Sequence, residues 1–212
     1  MPSQNSYLLH ILDHIKILLA TGGVVAVAAM FLALIIFPLR YGAGANILII
    51  NTATIADPYT TVKSAERIGE NLAAIVGTSQ FLNAVQESPY EIDRAYFKND
   101  ERQRRKQWNN MIETSVVTNS SLLHIQIYHE EKDQAVKIAQ AVASTILNKG
   151  HEYVGSQVQF KLVDAPIASR FPQKPNIFMA LVLGFIFGVA AGAVYVLTTT
   201  EKRHKGFLEG LE

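Results

Sequence analysis

Three histidines (His124, His129, His151) and three acidic residues (Glu130, Glu131, Asp133) crowd one stretch of the chain. Imidazoles and carboxylates together could bind a divalent cation or supply an acid–base pair. Their spacing argues against both. His124 and His129 are five apart, which places them on opposite faces of a continuous strand. Glu130, Glu131 and Asp133 stand where a helix begins, and acidic side chains there meet the positive end of the helix dipole. Ser169 and Lys174 could form a nucleophile and its base. Pro166, Pro172 and Pro175 stiffen the chain around them and hold them apart. Nothing matches the phosphate-binding pattern G-x-x-x-x-G-K-[ST]. The expectation is a protein that is not an enzyme, with no catalytic residue, no metal and no cofactor.

Three other constellations remain. Arg102, Arg104, Arg105 and Lys106 are the densest charge cluster. They could make an electrostatic contact with an anionic glycan, a lipid headgroup or an acidic neighbour. Equally, they could form a solvated helix face paired with Asp100 and Glu101, since exposed pairs contribute only about 0–1 kcal/mol and need no function. Residues 164–175 carry three prolines, expected to give a stiff connector with Lys174 at its end, where the ammonium could sit among headgroups. Gly184, Gly188 and Gly192 recur every fourth residue and put a small-residue face on one helix, where a second helix can approach closely. That partner could be the other apolar helix of the same chain or one from a neighbouring copy.

The elements that must position these residues follow from composition. The chain has 212 residues, a formal charge of +1 and no cysteine. That balance gives no sign of a nucleic-acid binder, and disulfides and thiolate metal sites are excluded. Residues 177–197 form an uncharged apolar run that as a helix would rise about 32 Å, against a hydrocarbon core of roughly 30 Å. Residues 17–37 form another, with Gly22, Ala26, Ala29 and Ala33 as its small residues. This first run is longer than the core of a signal peptide, so it reads as a retained anchor, although Ala43-Gly44-Ala45 looks like a cleavage site.

The expected division is therefore a cytoplasmic leader (1–16), a first span (17–38), an extracytoplasmic α/β domain with its connector (39–175), a second span (176–199) and a cytoplasmic tail (200–212). Lys16, Lys202, Arg203 and Lys205 near the ends outweigh Arg40, Arg170 and Lys174 slightly, which leans toward both termini in the cytoplasm.

Within the domain, residues 46–50 read as a buried strand. Asp57-Pro58 caps a helix carrying Val62, Ala65, Ile68, Leu72 and Ile75 on one face. Gly77 ends it, and Ser79 is expected to cap a short second helix bearing Phe81, Leu82 and Val85. Residues 90–99 resist assignment. A charged helix is expected over 100–113, with Trp108, Met111 and Ile112 as its apolar contacts. Residues 116–117 and 123–128 alternate as strands do, 130–153 is the clearest helix, and 157–162 is the last strand. The fold class expected is α+β: two terminal membrane helices flanking one small domain, its short mixed sheet covered by helices on one face and its first and last strands side by side.

The order of these pieces resembles a family. Pro166-x-x-Ser169-x-x-Pro172-x-Lys174-Pro175 running into a glycine-rich second span, the strand and helix over 41–85, and the Ile125-Gln126-Ile127 strand followed by a helix over 130–147 are similar to the Wzz-type polysaccharide co-polymerases, the chain-length determinants of bacterial surface polysaccharides. The likeness covers about residues 17–203. There is no room for the long helical arm of the larger members. In size the chain is similar to the compact membrane adaptors of Gram-positive capsule systems, which work with a separate cytosolic tyrosine kinase. The resemblance implies a non-enzymatic scaffold in the bacterial inner membrane, a homo-oligomeric ring. Its implied partners are membrane lipid, a polysaccharide polymerase or export machinery, and a kinase. A structural subunit of an envelope secretion or adhesion assembly, or a membrane-anchored sensor, would share much of this layout.

Overall fold

The computed structural model describes residues 15–52 and 57–209, with side chains as far as residue 198. The apolar patch of the leader (Tyr7 to Leu12) and the side chains of Lys202, Arg203 and Lys205 lie outside the described residues. The chain forms two compact units: Met1–Pro38 with Pro175–Glu212, and Leu39–Lys174.

The first unit holds two helices, α1 (Ile15–Ile36) and α6 (Ile177–Glu209). Ile15–Ile36 and Ile177–Thr198 each span 22 residues with a mean hydropathy of 2.5, long and apolar enough to cross a membrane. Large apolar side chains such as Val24, Ile35, Phe178 and Phe187 point outward rather than into a core. Asn176 caps α6, its Oδ1 accepting from the Met179 amide at 3.1 Å. The helix does not stop where the second span was expected to end. It runs unbroken to Glu209, so the tail begins as helix.

The second unit contains β1 (Tyr41–Asn51), α2 (Pro58–Val76), α3 (Ser79–Gln86), a 3-10 turn at Arg94–Tyr96, α4 (Glu101–Met111), β2 (Ile112–Val116), β3 (Leu122–His129), α5 (Lys132–Val154) and β4 (Val158–Ala168). The sheet order is β2-β3-β1-β4. Every neighbouring pair is antiparallel, so the expectation of a mixed sheet is wrong. The crossover through α5 does leave β3 and β4 running in the same direction, but β1 lies between them and opposes both. This is a split β-α-β arrangement with no hydrogen-bonded parallel pair.

The first and last strands lie side by side, as expected. Helices cover one face of the sheet. Ile47, Ile49, Leu123, Ile125 and Ile127 project into a core shared with Leu72, Phe81, Leu82, Trp108, Met111, Ile138, Val142 and Ile146. Burial of this kind is the main favourable term of folding, at roughly 25 cal/mol per Å² of apolar surface.

Several boundaries differ from the sequence reading, each for a local reason. β1 begins at Tyr41, ahead of the expected 46, so Gly42 and Gly44 belong to the strand. The two glycines lie beneath side chains that cross the open face of the sheet: a Cβ at Gly42 would collide with Gln173 Oε1 and Gln126 Nε2, and one at Gly44 would sit 2.5 Å from Gln126 Oε1. Ala43 and Gly44 are thus paired on both sides within the sheet, and Ala45 is paired with Ile125 of β3. Asp57 caps α2 as expected, accepting from the Thr60 amide at 2.9 Å and the Thr60 hydroxyl at 2.7 Å. These bonds, the hydroxyl's first, hold its carboxyl below the ordinary value of 3.8. Thr78, not Ser79, caps α3, accepting from the Phe81 amide. Ile112 and Glu113 leave the helix and open β2, where Ile112 pairs with Ile127. The segment that resisted assignment, 90–99, buries Phe97 in the core and is tied to α4: Gln107 donates to the Tyr96 carbonyl and accepts from the Lys98 amide.

Candidate functional site

The proline-bearing stretch is less of a free connector than its composition implies. Residues 164–168 belong to β4, an edge strand, and two register shifts against β1 fall between Gly44 and Ile47. Pro166, which has no N–H to give to a ladder, lies in this irregular part of the strand, where proline is tolerated in sheets. Beyond it the chain stays pinned to the start of β1. The Ser169 amide donates to the Gly42 carbonyl at 2.7 Å, and the Arg40 and Lys174 backbones form a bridge. Ser169 Oγ accepts from the Gly42 amide at 2.9 Å and donates to the Phe171 carbonyl at 2.9 Å. Its oxygen is fully engaged in closing this turn and is not paired with Lys174.

Lys174 is likewise occupied. Its Nζ lies 3.7 Å from the centre of the Tyr128 ring and 3.5 Å from Glu113 Oε2. It is held at the sheet rather than standing free for a headgroup. Tyr128 donates to the same carboxylate at 3.1 Å. Burial, and then the negative charge of Glu113, push its hydroxyl up to about 12, so it remains a donor at any physiological pH. Ser169→Ala is expected to lower stability by about 1–2 kcal/mol, because a part-buried and an exposed hydrogen bond go together. Ser169→Thr should recover most of it, as read from thermal melts of the full chain in detergent.

The histidines separate as their spacing predicts. His124 lies on the open face of the sheet with Nδ1 2.8 Å from Asn46 Oδ1, and Asn46 donates onward to Asp164 at 2.7 Å. His129 lies on the core face, 3 % exposed, its ring 4.4 Å from that of Tyr96. His151 stands exposed on α5. Among the described residues no three histidine, aspartate or glutamate side chains come together to hold a metal ion.

The acidic group at the start of α5 works differently from expectation. Glu131 occupies the cap position but its carboxylate accepts no helix amide. Its own backbone N–H donates to His129 Nδ1 at 3.0 Å. Glu130 accepts from the Tyr96 hydroxyl at 3.4 Å, and only Asp133 sits in the first turn. The imidazole therefore ties strand to helix, and it can do so only while Nδ1 is unprotonated. Burial, as the leading cause, lowers the His129 pKa below the ordinary 6.5. The folded state then binds fewer protons than the unfolded chain, and stability falls as pH drops below about 6.5, levelling off beneath the depressed folded value. Melting temperature measured across pH 5–8 should show this slope, and His129→Gln should flatten it.

The basic cluster is divided by the helix it lies on. Gln103, Lys106, Gln107 and Asn110, at helical i, i+3, i+4 and i+7 positions, share one face of α4. With Arg40 and Lys98 they line an open notch of about 370 Å³. Arg102 and Arg105 are exposed elsewhere on the helix, and Arg104 is partly buried with Nε lacking a hydrogen-bond partner. Among the described residues none of the four pairs with Asp100 or Glu101; Asp100 instead caps α4 through the Gln103 amide at 2.9 Å. Arg40 and Lys98, distant in sequence from the cluster and from each other, are what sequence reasoning missed.

In the helical unit Gly184, Gly188 and Gly192 face α1 of the same chain. A Cβ at Gly188 would lie 2.7 Å from the Thr21 carbonyl oxygen and 2.8 Å from Gly22 Cα. One at Gly184 would lie 2.7 Å from Ala29 Cβ and 2.9 Å from Ala26 Cα. Gly192 faces Thr21 Oγ1 and Leu18, and Gly22 returns the contact against Phe185 and Val189.

No protein-family model matches this sequence, and no curated protein matches it either.

Proposed function

We propose that this protein is a membrane-anchored, non-enzymatic scaffold of the polysaccharide co-polymerase type, which regulates the chain length, polymerisation or export of a bacterial surface polysaccharide. The observation that carries the reading is the way the α/β unit begins and ends. Arg40 and Lys174 are bridged backbone to backbone, with β1 and β4 paired behind them, so the chain enters and leaves the domain at one point. Each of those ends continues into a helix of spanning length. A domain tied twice at one point is suited to be held at a bilayer surface, with both termini on the opposite side.

In this reading α1 and the first part of α6 cross the inner membrane, the domain lies outside the cytoplasm, and both termini lie within it. The charges flanking the apolar runs favour this sense of insertion. The helical extension of α6 past Thr198, eleven residues and about 16 Å long, would offer a rigid handle to a cytosolic partner such as a kinase. Several copies would gather around the polymerase or exporter and bias product length by their dwell there, with no bond chemistry of their own. The compact α/β unit, lacking any long arm, supports the likeness to the smaller adaptors. Deleting the gene and resolving the surface polysaccharide by gel electrophoresis tests this. The expected result is a shifted or broadened length distribution, restored by the wild-type gene. An unchanged distribution would transfer the scaffold to another envelope assembly.

A further inference from the structure

The notch on α4 has the composition of an anion site. Arg40, Lys98 and Lys106 supply three cations to its lining; Gln103, Gln107 and Asn110 supply amides; no carboxylate takes part. None of the three cations has an ion-pair partner among the described residues. Lys63, Lys137, Lys149 and Lys174, by contrast, each have a carboxylate at 2.7, 3.3, 3.7 and 3.5 Å. Converging like charges repel, and a bound anion would offset that. Two parts of the lining are tied to α4. Gln107 clamps the Lys98 backbone to the helix, and Arg40 Nη1 reaches the Asn110 carbonyl at 3.4 Å.

We propose that this notch binds a phosphate-bearing ligand, with the phosphorylated headgroup of a membrane lipid as its source. A guanidinium can grip phosphate with two parallel N–H donors while lysines add point charges, and three cations suit a doubly charged phosphate better than a single carboxylate. The space exceeds a lone phosphate and falls in the range of small-ligand sites. Arg40 follows the last residue of α1, Ile36, by four residues, so the chain keeps it within about 14 Å of that helix end. The lipid source rests on α1 crossing the bilayer, as proposed above; the phosphate chemistry does not.

The test uses the full chain in a neutral detergent, titrated with dioctanoyl phosphatidic acid, dioctanoyl phosphatidylcholine and inorganic pyrophosphate. Saturable binding of phosphatidic acid, about tenfold tighter than of phosphatidylcholine, is expected. Arg40→Gln with Lys106→Gln should weaken it about tenfold or more. Lys98→Gln with Lys106→Gln, which leaves the Arg40–Asn110 contact intact, should do the same should the first pair disturb folding. Arg102→Gln with Arg105→Gln removes equal charge away from the notch and should change affinity less than about twofold. Pyrophosphate binding as tightly as phosphatidic acid would overturn the lipid as source while retaining the phosphate site. An equal loss from the Arg102/Arg105 pair, or no saturable binding of either phosphate probe, would overturn the site itself. Neither result depends on the polysaccharide profile, so the two proposals fail separately.

Discussion

Replacing Trp108 with alanine is expected to destabilise the α/β unit by about 3–5 kcal/mol, the range for removing a fully buried large aromatic side chain. Trp108 is completely buried and packs with its ring centre 6.5 Å from that of Phe97. Its Nε1–H donates to the Val76 carbonyl at 2.8 Å. Val76 is the last residue of α2, where helix carbonyls have no partner within their own helix. The alanine variant would therefore open a cavity and strip a buried acceptor of its donor. Trp108→Phe separates the two effects: it fills most of the space and should lose only the hydrogen-bond part, about 1–3 kcal/mol. Chemical denaturation of the full chain in detergent, followed by far-ultraviolet circular dichroism, reads both without relying on the lost indole. An alanine variant within about 1 kcal/mol of wild type would mean that α4 is not anchored as described. Because α4 also carries the notch, Trp108→Ala should weaken phosphate binding as it loosens the helix, whereas Trp108→Phe should retain it.

What could be read from the sequence is what is encoded locally. Asp57-Pro58 announces a helix start because an acceptor side chain followed by a ring-fixed φ suits no other element as well. The apolar periodicity of α5 and the length of the two apolar runs are similarly self-contained. Misreadings arose where two adjacent residues are chemically equivalent or where tertiary pairing decides. Thr78 and Ser79 are both competent caps, and the choice follows from where Gly77 ends α2. Ile112 fits the apolar face of a helix and of a strand alike; its pairing with Ile127 settles it. The role of Gly42 and Gly44, leaving room for Gln126 and Gln173, was not legible because it involves residues more than eighty positions away. The notch was illegible for the same reason. Its charges come from three segments, and the visible run of Arg102 to Lys106 contributes one charge to it. The five-residue spacing put His129 on the face opposite His124, but its use of an acceptor nitrogen to receive the Glu131 amide has no sequence signature.

Gly188→Leu is expected to force α1 and α6 apart within one chain. The new side chain would begin where the Thr21 carbonyl oxygen and Gly22 Cα already stand, and backbone atoms, unlike a flexible side-chain tip, cannot turn aside. Overpacking of a close contact costs about 1–3 kcal/mol even where side chains can adjust, and close backbone approach is what small residues provide between membrane helices. Since the chain has no cysteine, the geometry can be read by introducing two. A Cβ at Gly184 would lie 2.7 Å from that of Ala29, so Ala29→Cys with Gly184→Cys needs only a slight separation to reach the 3.5–4.5 Å of a disulfide. Oxidation in native membranes should then yield a cross-linked monomer, detected by its altered gel mobility. Adding Gly188→Leu should suppress that product strongly. A disulfide-linked dimer in place of the monomer would show that the glycine face joins neighbouring copies instead. The contacts of the proposed ring would then have to be sought on this face, and not, as the intrachain pairing requires, on the outward apolar sides of the two helices or on the α/β unit.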